Sequence, residues 1–191
     1  MPPPTGVDGL IAAGRDLSAA GLVTSHGGNL SMRALGGSDG GTLISATGAM
    51  LGRLTATDFV PVSAAGKPAP GVPEPSSNTA IHLAIYAAHP QAGAIIHAHP
   101  VHAIARTLAD ESELIEPANF EGKLFLPRVP VLPEGSEQRP EAIAAALNLE
   151  TAPLVMVRGH GSFAIGADIW QALMYSSALE EAAQILTLAG L

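Results

Sequence analysis

Seven residues, Ala94-Ile95-Ile96-His97-Ala98-His99-Pro100, restrict what this chain can fold into more than any others. An apolar run that stops at His-Ala-His-Pro reads as a short buried strand. Side chains alternate along a strand, so His97 and His99 leave the same face. Two imidazoles so placed can converge on one metal ion, at roughly 2.0–2.1 Å each if the ion is zinc. Histidine also serves as an ordinary core or surface residue, so the pair takes its meaning from the rest of the chain.

A helix over residues 7–21 follows from apolar Leu10, Ile11, Leu17 and Ala20 and a stop near Gly21. Gly27-Gly28-Asn29 reads as a glycine turn into a strand, or as a nest of N–H groups aimed at an anion. Thr42 to Ser45 is strand-like and runs into a small-residue loop, Ala46-Thr47-Gly48. Residues 64–76 are rich in Pro, Gly and Ala. Ser76-Ser77-Asn78 opens a helix that ends before His89-Pro90, and a helix start of this kind is also a ready anion site. His82 lies inside that helix and reads as structural, whereas His89 and His102 read as surface or supporting residues. Val101 to Leu108 is helical and 110–122 is acidic and irregular. Val129 to Leu132 reads as an edge strand because it contains Pro130. Pro140 to Leu149 is a helix with proline in its first turn. Two apolar runs, Leu154–Val157 and Ser162–Gly166, read as buried strands flanking Arg158-Gly159-His160-Gly161, which holds a histidine on a tight turn. Asp168 caps a last helix through Leu186.

The chain has 191 residues and no internal repeat, which fits one domain over residues 1–191. It has no cysteine, so a metal would rest on histidine, carboxylate or water. A net charge of −8 argues against nucleic acid and anionic membranes as partners. No apolar run nears the ~20 residues of a spanning helix. Met1-Pro2-Pro3-Pro4-Thr5 lacks the regions of a signal peptide, so a cytoplasmic location is expected.

Five landmarks carry a resemblance over Gly21 to about Ala189: Gly28-Asn29-Leu30-Ser31, Ser45-Ala46-Thr47-Gly48, Pro75-Ser76-Ser77 with His82 four residues past Asn78, Ile96-His97-Ala98-His99, and Gly159-His160-Gly161. In that order they resemble the class II aldolase/adducin family, near the L-fuculose-1-phosphate aldolases. The resemblance implies a three-layer α/β/α fold with a mainly antiparallel central sheet. It implies zinc on His97, His99 and His160, and phosphate on Gly28, Asn29, Thr47, Gly48, Ser76 and Ser77. It also implies a C4-like homotetramer with active sites at subunit interfaces. The expected activity is that of a zinc-dependent aldolase, a lyase cleaving a small ketose phosphate through an enediolate. Three neutral imidazoles leave zinc its full charge and an open position, which suits such chemistry.

One position departs from the pattern. The residue after the serine pair is an acid/base glutamate in these aldolases and an aspartate in related epimerases, but here it is Asn78. An amide cannot shuttle a proton. Glu74 is a possible substitute, as are Glu121, supplied from a neighbouring subunit, and His102. The alternatives are an epimerase or decarboxylase of the same family, or a binding module without catalysis. The histidine triad favours an enzyme.

Overall fold

A computed structural model, which describes residues 2–34, 41–109 and 111–191, contains an eight-stranded sheet with helices on both faces. The strands are β1 (Asn29–Arg33), β2 (Thr42–Ser45), β3 (Phe59–Val62), β4 (Ala94–Ala98), β5 (Leu114–Ile115), β6 (Val129–Leu132), β7 (Leu154–Val157) and β8 (Gly161–Gly166). Their spatial order is β3-β2-β1-β4-β8-β7-β6-β5. Neighbours are antiparallel except β6 and β7, which run parallel. The described helices are α1 (Gly6–Ala19), α2 (Thr79–Ala88), α3 (Val101–Ala109), α4 (Phe120–Phe125), α5 (Pro140–Ala146) and α6 (Ile169–Ala189). The architecture is three-layered α/β/α with a mainly antiparallel sheet, as expected.

The layers follow from strand alternation. On β4, Ala94, Ile96 and Ala98 pack with Leu10, Ala13 and Leu17 of α1 and with Ile169 and Ala172 of α6. Ile95 points the other way, into a cluster with Ile81, Ile85 and Tyr86 of α2, Ile143 of α5, and Phe163 and Ile165 of β8. Both faces of β4 are therefore covered, which is why its sequence is a continuous apolar run. Each large side chain so buried contributes about 1.5–3 kcal/mol. Long α6 crosses the sheet and also packs with α3 and α4. The Asp168 carboxylate accepts the Gln171 N–H at 2.9 Å to begin it, and Gly190, at φ 69°, ends it. Among the described residues no helix is long and apolar enough to cross a membrane.

The expectation that β6 is an edge strand is corrected. It lies between β7 and the two-residue β5. Pro130 is tolerated because the β6–β7 ladder begins only at Val131, while the Val131 N–H turns to the Glu113 carbonyl on the other side. Backbone N–H groups alternate sides, so a donor at 130 would have pointed at β7 before the pairing starts. Of the stretch read as irregular, 110–122, residue 110 lies outside the described residues, and 111–122 hold β5 and the start of α4.

Candidate metal centre

The sheet register assembles the centre. Asn29 of β1 pairs with His97 of β4, and His97 pairs with Phe163 of β8. His97 is 2% exposed and stacks on the Phe163 ring at 4.3 Å, on the α2/α5 side of the sheet. His99 follows the end of the strand, and its Nε2 lies 3.0 Å from Nε2 of His97. His160 sits on the three-residue β7–β8 turn, its N–H donating to the Val157 carbonyl at 3.0 Å. Its ring centroid is 5.1 Å from that of His97 and 5.5 Å from that of His99. One ligand atom from each of the three lies within 4.8 Å of the others.

This triad fits a divalent metal. Ligand nitrogens on a tetrahedral zinc are ~3.3 Å apart at the usual bond length, close to the spacing already present between His97 and His99. The tautomer is also fixed. Nδ1 of His97 donates to the Ser162 carbonyl at 2.9 Å, so Nε2 presents its lone pair toward His99. Burial, then the His99 charge, holds the His97 pKa well below its usual value, although the Ser162 contact works the other way. Burial and then His160 lower the His99 pKa. Both rings are therefore neutral and ligand-competent at neutral pH.

Two glycines make the close packing possible. A Cβ on Gly161 would stand 2.4 Å from the Ala98 carbonyl oxygen and 2.7 Å from the His99 ring. Gly28 has φ +77°, and a Cβ there would lie 2.7 Å from the His97 carbonyl oxygen.

A pocket of about 320 Å³ opens over the triad. It is lined by all three histidines together with Gly28, Asn29, Thr47, Gly48, Ser76, Ser77 and Asn78, so every residue expected to hold metal or phosphate meets there. Asn29 is buried and its Oδ1 has no hydrogen-bond partner. Ser77 is exposed, whereas the buried Ser76 hydroxyl accepts the Asn78 N–H at 3.2 Å. Asn78 occupies the cap position of α2 but makes no side-chain cap bond, so its amide is not spent on the helix.

Within one chain, none of the three substitute bases lines the pocket. Glu74 is exposed, contributes its carbonyl to Thr47 N–H at 2.9 Å, and does not line the pocket. Glu121 is exposed on α4, which packs on α6 across the sheet from α2 and α5. His102 is held by Glu180, with Nδ1 to Oε1 at 2.7 Å, and the same carboxylate accepts the His102 and Ala103 N–H groups. No carboxylate lines the pocket among the described residues. His82 is buried with Nδ1 2.7 Å from the Ser31 hydroxyl, in keeping with its structural reading, and His89 ties α2 to the Ala144 carbonyl at 2.8 Å.

Sequence reasoning missed Glu137. It sits in the one-turn 3-10 helix Ser136–Gln138, with Oε2 3.7 Å from Nδ1 of His160. That oxygen is buried and has no hydrogen-bond partner. A carboxylate behind a ligating imidazole holds the ring in place and strengthens its donor nitrogen. Glu137→Gln is expected to weaken metal binding about 10–100-fold. Competition against a fluorescent chelator measures this, and an unchanged affinity would remove Glu137 from the centre.

The model of a family described as class II aldolase and adducin N-terminal domain matches residues 8–187. The chain is 34% identical over 181 residues to methylthioribulose-1-phosphate dehydratase of Acidiphilium cryptum (strain JF-5), covering 90% of this chain and 84% of that protein. It is 32% identical over 196 residues to methylthioribulose-1-phosphate dehydratase of Granulibacter bethesdensis (strain ATCC BAA-1260 / CGDNIH1), covering 94% and 90%. The crystal structure of L-fuculose-1-phosphate aldolase from Thermus thermophilus superposes with a TM-score of 0.82 at 31% identity, covering 95% of this chain and 92% of that one.

Proposed function

This chain belongs to the class II aldolase and adducin N-terminal domain family, and on that premise we propose that it is a metal-dependent lyase acting on a ketose 1-phosphate. The observation that carries the reading is one pocket holding three convergent imidazoles beside a cluster of neutral anion donors. His97, His99 and His160 would hold the ion, and zinc suits an all-nitrogen set with no thiolate. Bound there, a divalent ion would supply Lewis-acid polarisation of a substrate carbonyl.

The chain's own groups do the rest. The Gly28 turn, the Asn29 amide, the Thr47 and Ser77 hydroxyls and the N-terminus of α2 bind phosphate with uncharged donors. Anchoring the phosphate fixes the carbonyl carbon at a set distance from the triad. Asn78 would hydrogen-bond a substrate hydroxyl. Two bond cleavages are open to such a site, and each has support. Elimination of water, the activity in the names of the two curated relatives, comes first. Aldol cleavage, expected from the sequence, is supported by the Thermus structure. Assembly into a homotetramer belongs to the same reading. Val101 and Leu108 on α3, and Phe120 and Leu124 on α4, are large apolar side chains left 58–75% exposed.

The test is a turnover screen of metal-loaded protein over methylthioribulose 1-phosphate, fuculose 1-phosphate and other ketose phosphates. Release of water or of an aldehyde from at least one supports the reading, and silence toward all of them removes it. A second measurement isolates the phosphate cluster. Ser77→Asp is expected to weaken inorganic phosphate binding roughly a hundredfold, since like charges 4 Å apart repel by about 1 kcal/mol in water and about 4 at an effective dielectric constant of 20. Calorimetric titration that finds equal affinity would place the phosphate elsewhere.

A further inference from the structure

The turn that carries His99 is held from outside. His99 stands between the end of β4 and the start of α3, with only Pro100 between it and Val101. A helix leaves its first N–H groups without partners of its own, and a serine, threonine, aspartate or asparagine just ahead of it usually accepts them. Pro100 has no side-chain oxygen, so it cannot do this. The acceptor comes from α6 instead. Oε2 of Glu180 takes the His102 and Ala103 N–H groups at 3.1 and 3.2 Å. Oε1 lies 3.1 Å from the same His102 nitrogen and accepts from Nδ1 of the His102 ring at 2.7 Å. A negative group at this end of a helix is also favoured by the helix dipole.

We infer that Glu180 is a positioning residue of the metal centre, which sets His99 by capping α3 from α6. The inference rests on the reading of His97, His99 and His160 as the metal ligands. Glu180 does not line the pocket, so it acts through the chain. His97 has the Ser162 carbonyl to orient its ring. Among the described residues the His99 ring has no such acceptor, and its one hydrogen-bond contact is with His97. Its position therefore depends on its backbone, which is tied on both sides. The His99 N–H donates to the Leu22 carbonyl at 2.8 Å, and Glu180 holds the helix that follows. The mounting is firm, because α6 packs on β4 and β8 and buries Leu179, Ala182 and Ala183 around Glu180.

A cap that served stability alone would leave the centre untouched when removed. Asp168 is the comparison, since its carboxylate caps α6 through the Gln171 N–H at 2.9 Å. It lies beside Gly93 and Ala94, at the start of β4, whereas the triad gathers at the other end of that strand. Loss of either cap should cost comparable stability. Only the loss of Glu180 should reach His99.

The test compares the full-length parent with Glu180→Ala, Glu180→Gln and Asp168→Ala. Zinc affinity is read by competition with a chelator, and the visible spectrum of the Co²⁺-loaded protein reports the ligand arrangement. Glu180→Ala should bind zinc about 10-fold more weakly or worse, at the low end of what outer partners of a metal site contribute. Its cobalt bands should shift. Glu180→Gln keeps an oxygen for the two N–H groups, so its affinity should stay within threefold of the parent and its spectrum should match. Asp168→Ala should melt at a lower temperature than the parent yet keep the parent affinity and spectrum. Glu180→Met, which fills the same space without an acceptor, is read in place of Glu180→Ala where the latter does not fold. The positioning role is overturned if the variant without an acceptor binds zinc within twofold of the parent, if Glu180→Gln is as weak as that variant, or if Asp168→Ala weakens binding equally. If the parent itself takes up no divalent ion, the metal reading falls and this inference falls with it.

Discussion

His97→Ala is expected to strip the protein of its metal and of its turnover together. His97 is the most buried of the three histidines and the one whose geometry is most tightly fixed. Phe163 stacks on one face of its ring, and the Ser162 carbonyl holds Nδ1. Removing a group that merely orients a ligand costs about 10–100-fold in affinity. Removing the ligand itself also leaves only two imidazoles, so the loss should exceed that range. Elemental analysis after desalting should find about one divalent ion per parent chain and almost none per variant chain. Circular dichroism should show the variant folded, because the surrounding clusters of Ile95, Val155, Phe163 and Ile165 remain. A folded variant that retains one ion with an affinity within tenfold of the parent would show that the ion sits elsewhere. His160→Ala provides an internal comparison. Its side chain is 32% exposed, so it should lose metal with less disturbance to packing.

The parts of this centre that were legible in the sequence are those set by short-range geometry. Alternation along β4 put His97 and His99 on one face, and a histidine between two glycines marked a turn. Periodicity located α1, α2, α6 and the buried strands within a few residues. The small-residue cluster around the pocket needed more than geometry. Gly28, Thr47 and Ser77 come from three separate loops, and only a family resemblance suggested that they meet. The structure brings them to one pocket because β1 lies between β2 and β4, so the turn before β1 and the loop after β2 open at the same end of the sheet.

What stayed hidden depended on long-range pairing. Glu137 reaches His160 because β6 pairs in parallel with β7, which sets the turn after β6 beside the turn after β7. No local pattern encodes that pairing. Pro130 pointed to an edge, and the short β5 that covers β6 is too brief to show any period. Glu74 was considered because it precedes Asn78 by only four residues, but proximity in the chain did not put its carboxylate among the groups lining the pocket.

The fold should also lose stability steeply in acid, and His82 supplies a defined part of that loss. It is fully buried, with Nδ1 on the Ser31 hydroxyl, which in turn is 2.9 Å from the Tyr86 hydroxyl. Its Nε2 has no partner, so a proton placed there would be an unpaired charge in the core. Burial accordingly lowers its pKa from 6.5 to about 3. Above pH 6.5 the ring is neutral in both the folded and the unfolded chain and contributes no pH dependence. Below it the unfolded chain binds a proton that the folded chain refuses, so stability falls as the pH drops toward 3. The difference of about 3.5 pH units, at about 1.4 kcal/mol each, sets a limit near 5 kcal/mol, of which about 3 should be lost by pH 4. Burial lowers the His97 and His99 pKa values as well, in the same direction. The measurement is therefore a difference: urea unfolding of metal-free parent and of His82→Gln at pH 7 and pH 4. The variant should start less stable at pH 7, having lost a fitted core residue, yet fall by about 3 kcal/mol less than the parent on going to pH 4. Parallel losses in the two proteins would mean that the buried ring accepts a proton in the folded state, with Ser31 and Tyr86 turning to meet it.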